Sequence, residues 1–271
     1  PEELLARVSA AAAAGYRLEV HAIGDAAAEA VIDAFEGTLE GSQAAHARPV
    51  LTHCQVLGAD LIERMARLNV VANVQPSFVP TDARFVNDRI PPELHPTSYC
   101  WRSLLRAGVV CAGGSDAPVE LPEPLLGIFD AMTRTERRDG GGPRERVLDP
   151  AAQRVFLPEE RLPFAAALWL YTIGGAYAAQ QEQRMGSITP GFAADFVILS
   201  TDVTADRSGA KLLEACVDET WVAGVRRYSR APPAAANTVD GVSTGASVES
   251  SAAAGMGVAS RPEGGGGVTD P

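Results

Sequence analysis

Lysine is nearly absent from this chain. Lys211 is the only one in 271 residues, which leaves Schiff-base chemistry almost without a candidate. Runs of Lys or Arg are missing too, and 23 basic against 34 acidic residues give a formal net charge of -11. That balance disfavours nucleic acid as a partner and leaves a small-molecule substrate as the expectation. The four cysteines, Cys54, Cys100, Cys111 and Cys216, form no C-x-x-C pair. They argue against a disulfide framework and for a reducing, cytoplasmic setting. No apolar stretch reaches the roughly 18 residues of a membrane span. An initiator methionine and a signal peptide are also lacking. The chain opens at Pro1 and enters helical sequence over 2–14, as the later part of a longer protein would.

The chain does have the length for a sizeable core, and an apolar fraction of 46%, ordinary for a globular protein. Its organising stretch is Tyr16–Asp25, a short strand pattern ending at His21, then a glycine turn. A helix follows over 26–36 with Val31, Ala34 and Phe35 at core-facing spacing. The same arrangement recurs at 48–53, an apolar run ending at His53 before a helical pattern over 60–68. A third run, 69–75, ends at Gln75, and a fourth, 108–116, ends at Asp116. His21 and His53 lie 32 residues apart. A barrel of eight strand–helix units in about 250 residues allows about 31 per unit. Strands alternating with helices predict an α/β fold with a parallel sheet, whose chemistry sits at the carboxyl ends of the strands. Two histidines and an aspartate could therefore converge from distant positions.

Between these units, 76–96 reads as a long Pro- and Asp-containing loop, expected to be a lid on the substrate side. Helices are expected over 98–107, from Pro122-Glu123-Pro124 to about Arg137, over 158–171 and over 174–183, with a flexible glycine loop at 139–142. Only four strand–helix units can be counted, so either earlier units lie outside this chain or a second copy, in a homo-oligomer, supplies them. From Gly186 the pattern changes to turn, strand and a tight hairpin at 219–228, a small β region beside the barrel. Residues 231–271, rich in Ala, Gly, Ser and Pro, are expected to be disordered.

His21, His53 and Asp116 at strand ends form a metal-type donor set: imidazoles suit zinc, and a carboxylate can ligate or shuttle a proton. The bland reading stands beside it, with each histidine hydrogen-bonded in the core and Asp116 capping a helix. His46 and His95 read as surface residues, and Cys54, Cys100 and Cys111 as packing. Asp25 reads as a helix cap or a partner of His21. Gln75, Arg89, Arg102 and Arg134 are candidate substrate-binding residues, although solvated helix faces explain the arginines at 102 and 134 equally well.

Six motifs then point one way. They are His21-Ala-Ile-Gly-Asp25, Thr52-His53-Cys-Gln55, Gln75-Pro76, Tyr99-Cys-Trp-Arg102, Gly114-Ser-Asp-Ala-Pro-Val119 and Gly186-Ser-Ile-Thr-Pro-Gly-Phe-Ala-Ala-Asp195. Together they resemble the later motifs of amidohydrolase family 3, whose members include N-substituted formamide deformylase-like enzymes, over about residues 1–228. The resemblance implies the second half of a TIM-type (β/α)8 barrel over 1–185. It also implies the C-terminal part of a small β-sandwich over 186–230. By the same resemblance His21 and His53 are ligands of a divalent metal such as zinc, and Asp116 is a ligand and the general base. The implied reaction is hydrolysis of carbon–nitrogen bonds other than peptide bonds. The family's first-strand His-x-His pair has no counterpart here, so this polypeptide by itself is expected to be unstable or inactive. A scaffold without catalysis is the competing expectation, and the product of a truncated gene a third.

Overall fold

A computed structural model describes residues 2–39, 47–136, 145 and 154–230, together with the backbone alone at positions 85 and 87. The expected glycine loop at 139–142, His46 and the expected tail at 231–271 lie outside the described residues.

Four short parallel strands form the central sheet: β1 (Glu19–Ala22), β2 (Val50–His53), β3 (Val71–Val74) and β4 (Cys111–Gly113), in that spatial order. Their register sets one row, His21–Thr52–Asn73–Ala112, directly across the sheet. Side chains alternate between the faces of a strand, and the two faces differ. Leu51, Ala72, Val74 and Cys111 join the main core, whereas Val50, Val71 and Ala112 form a small separate cluster on the other face.

Helices cover the main-core side. α1 (Glu2–Ala13) precedes β1, and α2 (Asp25–Thr38) buries Ala28, Val31, Ile32, Ala34 and Phe35. α3 (Ala59–Arg67) buries Leu61, Ile62 and Met65, with Asp60 in its first turn and Arg64 and Arg67 in its last, as its dipole favours. Arg64 then reaches α2, bonding Glu36 and Asp33.

The stretch 76–96 departs from the expected loop. It is a 3-10 turn (Pro76–Phe78), α4 (Val79–Arg89) and another 3-10 turn (Pro92–Thr97). Pro80 lies in the first turn of α4, where a missing N–H costs nothing. The next helix, α5 (Trp101–Arg106), starts later than expected, because Ser98 closes the preceding turn and Tyr99 takes φ 50°. α6 (Pro124–Thr133) follows β4.

The two helices expected after residue 158 are instead a 3-10 turn (Pro158–Glu160) and one continuous helical segment. That segment runs α7 (Phe164–Trp169), a π-turn (Leu170–Gly174) and α8 (Gly175–Ala178). Gly174 does not break it. Its Cα lies so close to the Cys111 carbonyl that a side chain would collide, so the glycine serves close approach rather than a turn.

A second, antiparallel sheet holds β5 (Phe196–Leu199), β6 (Val217–Val222) and β7 (Val225–Ser229), the last two joined at Ala223-Gly224. Phe196 and Trp221 stack across it at 5.6 Å. Between β5 and β6, α9 (Ala210–Glu214) buries Leu212 in the main core. Among the described residues no helix is long and apolar enough to cross a membrane.

Candidate metal centre

The strand ends bring three of the expected residues together. His21 lies in β1 and His53 is the last residue of β2, and their rings meet edge to face with centroids 4.4 Å apart. His53 has φ 87° and Cys54 φ 50°, so the chain turns sharply where the imidazole leaves the sheet; such backbone gathers at functional sites. Asp116, three residues beyond β4 and also left-handed at φ 54°, places Oδ2 4.0 Å from His53 Nε2.

Gln75 fixes the imidazole. Its Nε2 donates to the Asn73 carbonyl at 3.2 Å, and its Oε1 lies 2.8 Å from His53 Nδ1. Turning the amide over would set oxygen against oxygen, so Oε1 faces the ring and Nδ1 carries the proton. His53 Nε2 is left with its lone pair toward Asp116. Phe78 stacks on the ring at 5.9 Å. Burial is the main cause holding the His53 pKa below its usual value, opposed by the Gln75 bond and helped by His21. A neutral imidazole with a free Nε2 is the form that binds metal.

The donor types suit a divalent ion. Two ligands about 2.1 Å from a tetrahedral zinc sit roughly 3.4 Å apart, and the 4.0 Å between Nε2 and Oδ2 is within reach of that after a small side-chain movement. The full set is not drawn in: among the described residues no three His, Cys, Asp or Glu groups stand in metal-holding geometry. His21 is exposed and Asp116 is 44% exposed, against 5% for His53.

The substrate-binding candidates separate. Gln75 is buried against His53 and positions it, rather than opening to a substrate. Arg134 is 0% exposed. Its Nε donates to the Phe156 carbonyl and its Nη1 to that of Tyr99, and the guanidinium lies over Trp101. It ties the polypeptide together, and a carboxylate outside cannot reach it. Arg102 turns to the 3-10 turn at Pro158–Glu160, donating from Nη1 to the Glu159 carbonyl. Arg89 lines a cavity at the strand ends. Asp25 opens α2 without making a side-chain cap. His95 is not a free surface residue: its ring bonds the Ile90 carbonyl at 2.7 Å. Cys54, Cys100 and Cys111 are buried free thiols, packed as expected.

Two contacts join residues that the sequence does not pair. The Tyr99 hydroxyl donates to Asp82 at 2.6 Å. Tyr171, in the π-turn, lays its ring against Gly113 at the end of β4 and against Gly127 in α6.

Fold and site define a parallel α/β protein that gathers imidazole and carboxylate at its strand ends. The profile of the amidohydrolase family, family 3, matches residues 1–228. The Bacillus subtilis protein YtcJ, named as an amidohydrolase, is 38% identical over 217 residues, covering 80% of this chain and 38% of its own length. N-substituted formamide deformylase of Arthrobacter pascens is 29% identical, covering 80% and 37%. An uncharacterised metal-dependent hydrolase of Pyrococcus horikoshii superposes with a TM-score of 0.61 at 26% identity, over 77% of this chain and 39% of its own. The chain belongs to the amidohydrolase family. It spans less than two-fifths of the length of the curated relatives it matches.

Proposed function

We propose that this chain carries the later strand ends of a metal-dependent hydrolase barrel that cleaves carbon–nitrogen bonds in small amides of the formamide type. In this reading the four-stranded sheet is half of an eight-stranded barrel and the three-stranded sheet part of a small sandwich. His21, His53 and Asp116 hold a divalent ion, zinc by the preference of its donors. The observation that carries the reading is the fixed tautomer of His53, with Nε2 presented to Asp116 across 4.0 Å.

A bound ion would polarise the amide carbonyl and lower the pKa of a coordinated water. The residues of this chain do the rest. Gln75 keeps the proton on His53 Nδ1, so that Nε2 stays a ligand. Asp116, half exposed at the strand ends, accepts a proton from the attacking water at a carboxylate oxygen and delivers it to the departing nitrogen. The acidic surface suits a small neutral or cationic substrate rather than a polyanion.

The test has two parts. Zinc binding to the 271-residue chain, read by competition with a chromophoric chelator, should fall at least about tenfold in His53→Ala and in Asp116→Asn. In a longer protein carrying this segment, N-substituted formamides should be hydrolysed and dipeptides spared. Equal zinc affinity in all three chains would overturn the assignment of ligands, and preferential cleavage of dipeptides that of the substrate.

A further inference from the structure

Beside the metal centre lies a cavity of about 360 Å³, within the size range of small-molecule sites. Its lining includes Ile23 and Gln55, in the turns that follow the two histidines. Those turns are already hydrogen-bonded into one frame. The Val56 N–H donates to the Ile23 carbonyl at 3.0 Å, and the Tyr99 N–H to the Gln55 carbonyl at 2.7 Å. Ile23, Val56, Val86, Ile90 and Leu94 supply the apolar part of the lining.

The charges in the lining are unequal. Asp25 and Asp82 both line the cavity, with Arg89 the one cation among its lining residues. Asp82 feels the positive charge of Arg89 and also a further negative charge, that of Glu120, which is bonded to Thr81. Tyr99 holds the Asp82 carboxylate in place through its hydroxyl. An apolar chamber lined by two carboxylates, one of them held by a tyrosine, favours a hydrocarbon group that carries an N–H donor or an ammonium, and disfavours one that carries a carboxylate.

We propose that this cavity receives the nitrogen-bearing, hydrocarbon half of the substrate: an alkyl or cycloalkyl amine, free or as the N-substituent of an amide. This rests on the hydrolase reading for its place in catalysis. Under that reading the cavity selects the leaving amine, with Asp82 and Tyr99 as specificity-determining residues.

The test needs neither metal nor turnover. Cyclohexylamine and cyclohexanecarboxylate have the same hydrocarbon body and opposite charge, and their binding to the 271-residue chain can be followed by ligand-observed NMR at equal ionic strength. The amine should bind roughly tenfold more tightly or better, as expected for one charge-assisted hydrogen bond. Asp82→Asn, which keeps an acceptor for Tyr99, should reduce that preference to about twofold or less. Ile23→Trp, at a lining residue that is 42% exposed, should weaken both ligands by filling part of the cavity, and the melting temperature checks that it folds. Equal binding of the two probes, tighter binding of the carboxylate, no binding of either, or binding indifferent to both substitutions would overturn the proposal. Selective amine binding without amide hydrolysis in a longer protein would sink the hydrolase reading and leave the cavity standing.

Discussion

Gln75→Leu separates the role that the structure gives this residue from the role of a substrate contact. Gln75 and His53 are 4% and 5% exposed, and the bond between them is 2.8 Å. Leucine nearly conserves the volume, so packing changes little, and the loss is polar. One buried hydrogen bond disappears and the His53 Nδ1–H is left without its acceptor, together about 1–3 kcal/mol. For a chain of this size that is a fall in melting temperature of roughly 2–12 °C. The second effect is larger in functional terms. Without the acceptor on Nδ1 the ring is free to change tautomer and to turn, which typically costs about 10–100-fold in metal affinity. Thermal melts of the apo chain and competitive zinc titration measure the two effects independently. Gln75→Glu is the control, because it keeps an acceptor facing Nδ1 and should hold affinity closer to that of the parent. Should Gln75→Leu leave both melting and zinc affinity unchanged and raise only a KM, the residue touches substrate and our account of the imidazole is wrong.

Arg134→Leu should destabilise by about 3–5 kcal/mol, since two buried carbonyls lose a charged donor. Urea unfolding reads it, and a normal midpoint with weakened ligand binding would restore Arg134 as a substrate contact. Gly113→Ala puts a Cβ 2.9 Å from the Tyr171 ring at the strand end that leads to Asp116, so zinc affinity should drop along with roughly 1–3 kcal/mol of stability. The same substitution paired with Tyr171→Leu should recover part of both. For Asp82, burial raises the folded pKa above 3.8 more than the Tyr99 bond lowers it. Between 3.8 and that raised value the folded chain binds more protons than the unfolded one, so its contribution to stability falls as pH rises through the window. Asp82→Asn should remove that component, seen as a difference in slope between the two chains in urea midpoints measured from pH 3.5 to 7. Parallel slopes would contradict it.

The strand ends were legible because parallel strands and their helices impose a spacing that the sequence shows directly, at His21 and His53. What was not legible depends on contacts across elements. Nothing local marks Gln75 as the partner of His53, 22 residues away; only the register of β2 against β3 brings them together. Arg134 reads as a solvated helix end until the chain at 154–162 folds over it and supplies the Phe156 carbonyl. The stretch 76–96 reads as a loop because its prolines and charged residues look like breakers, although proline in a first turn, as Pro80 is in α4, is tolerated. The gap expected between helices at 172–173 is closed because Gly174 lets the helix pass close to the Cys111 carbonyl of β4, as a π-turn, a form found often at functional sites.

The face of the sheet opposite the main core grows more polar toward one end. Its lower row, Val50 and Val71, is apolar, whereas in the row above Thr52 and Asn73 bond to each other and to Glu19, which reaches up from β1. His21 completes that upper row. Polarity thus rises along the strands toward their carboxyl ends, where His53, Gln75 and Asp116 meet. A parallel sheet normally has both faces covered, so a hydrogen-bonded polar layer crossing three strands is not what packing alone would select. It gives the strand ends a hydrogen-bonded polar layer, with the apolar row of Val50 and Val71 beneath it. The same gradient explains why losing one acceptor at Gln75 matters more than losing one apolar contact below it. Among the donors at the top, His53 is held at Nδ1 by Gln75.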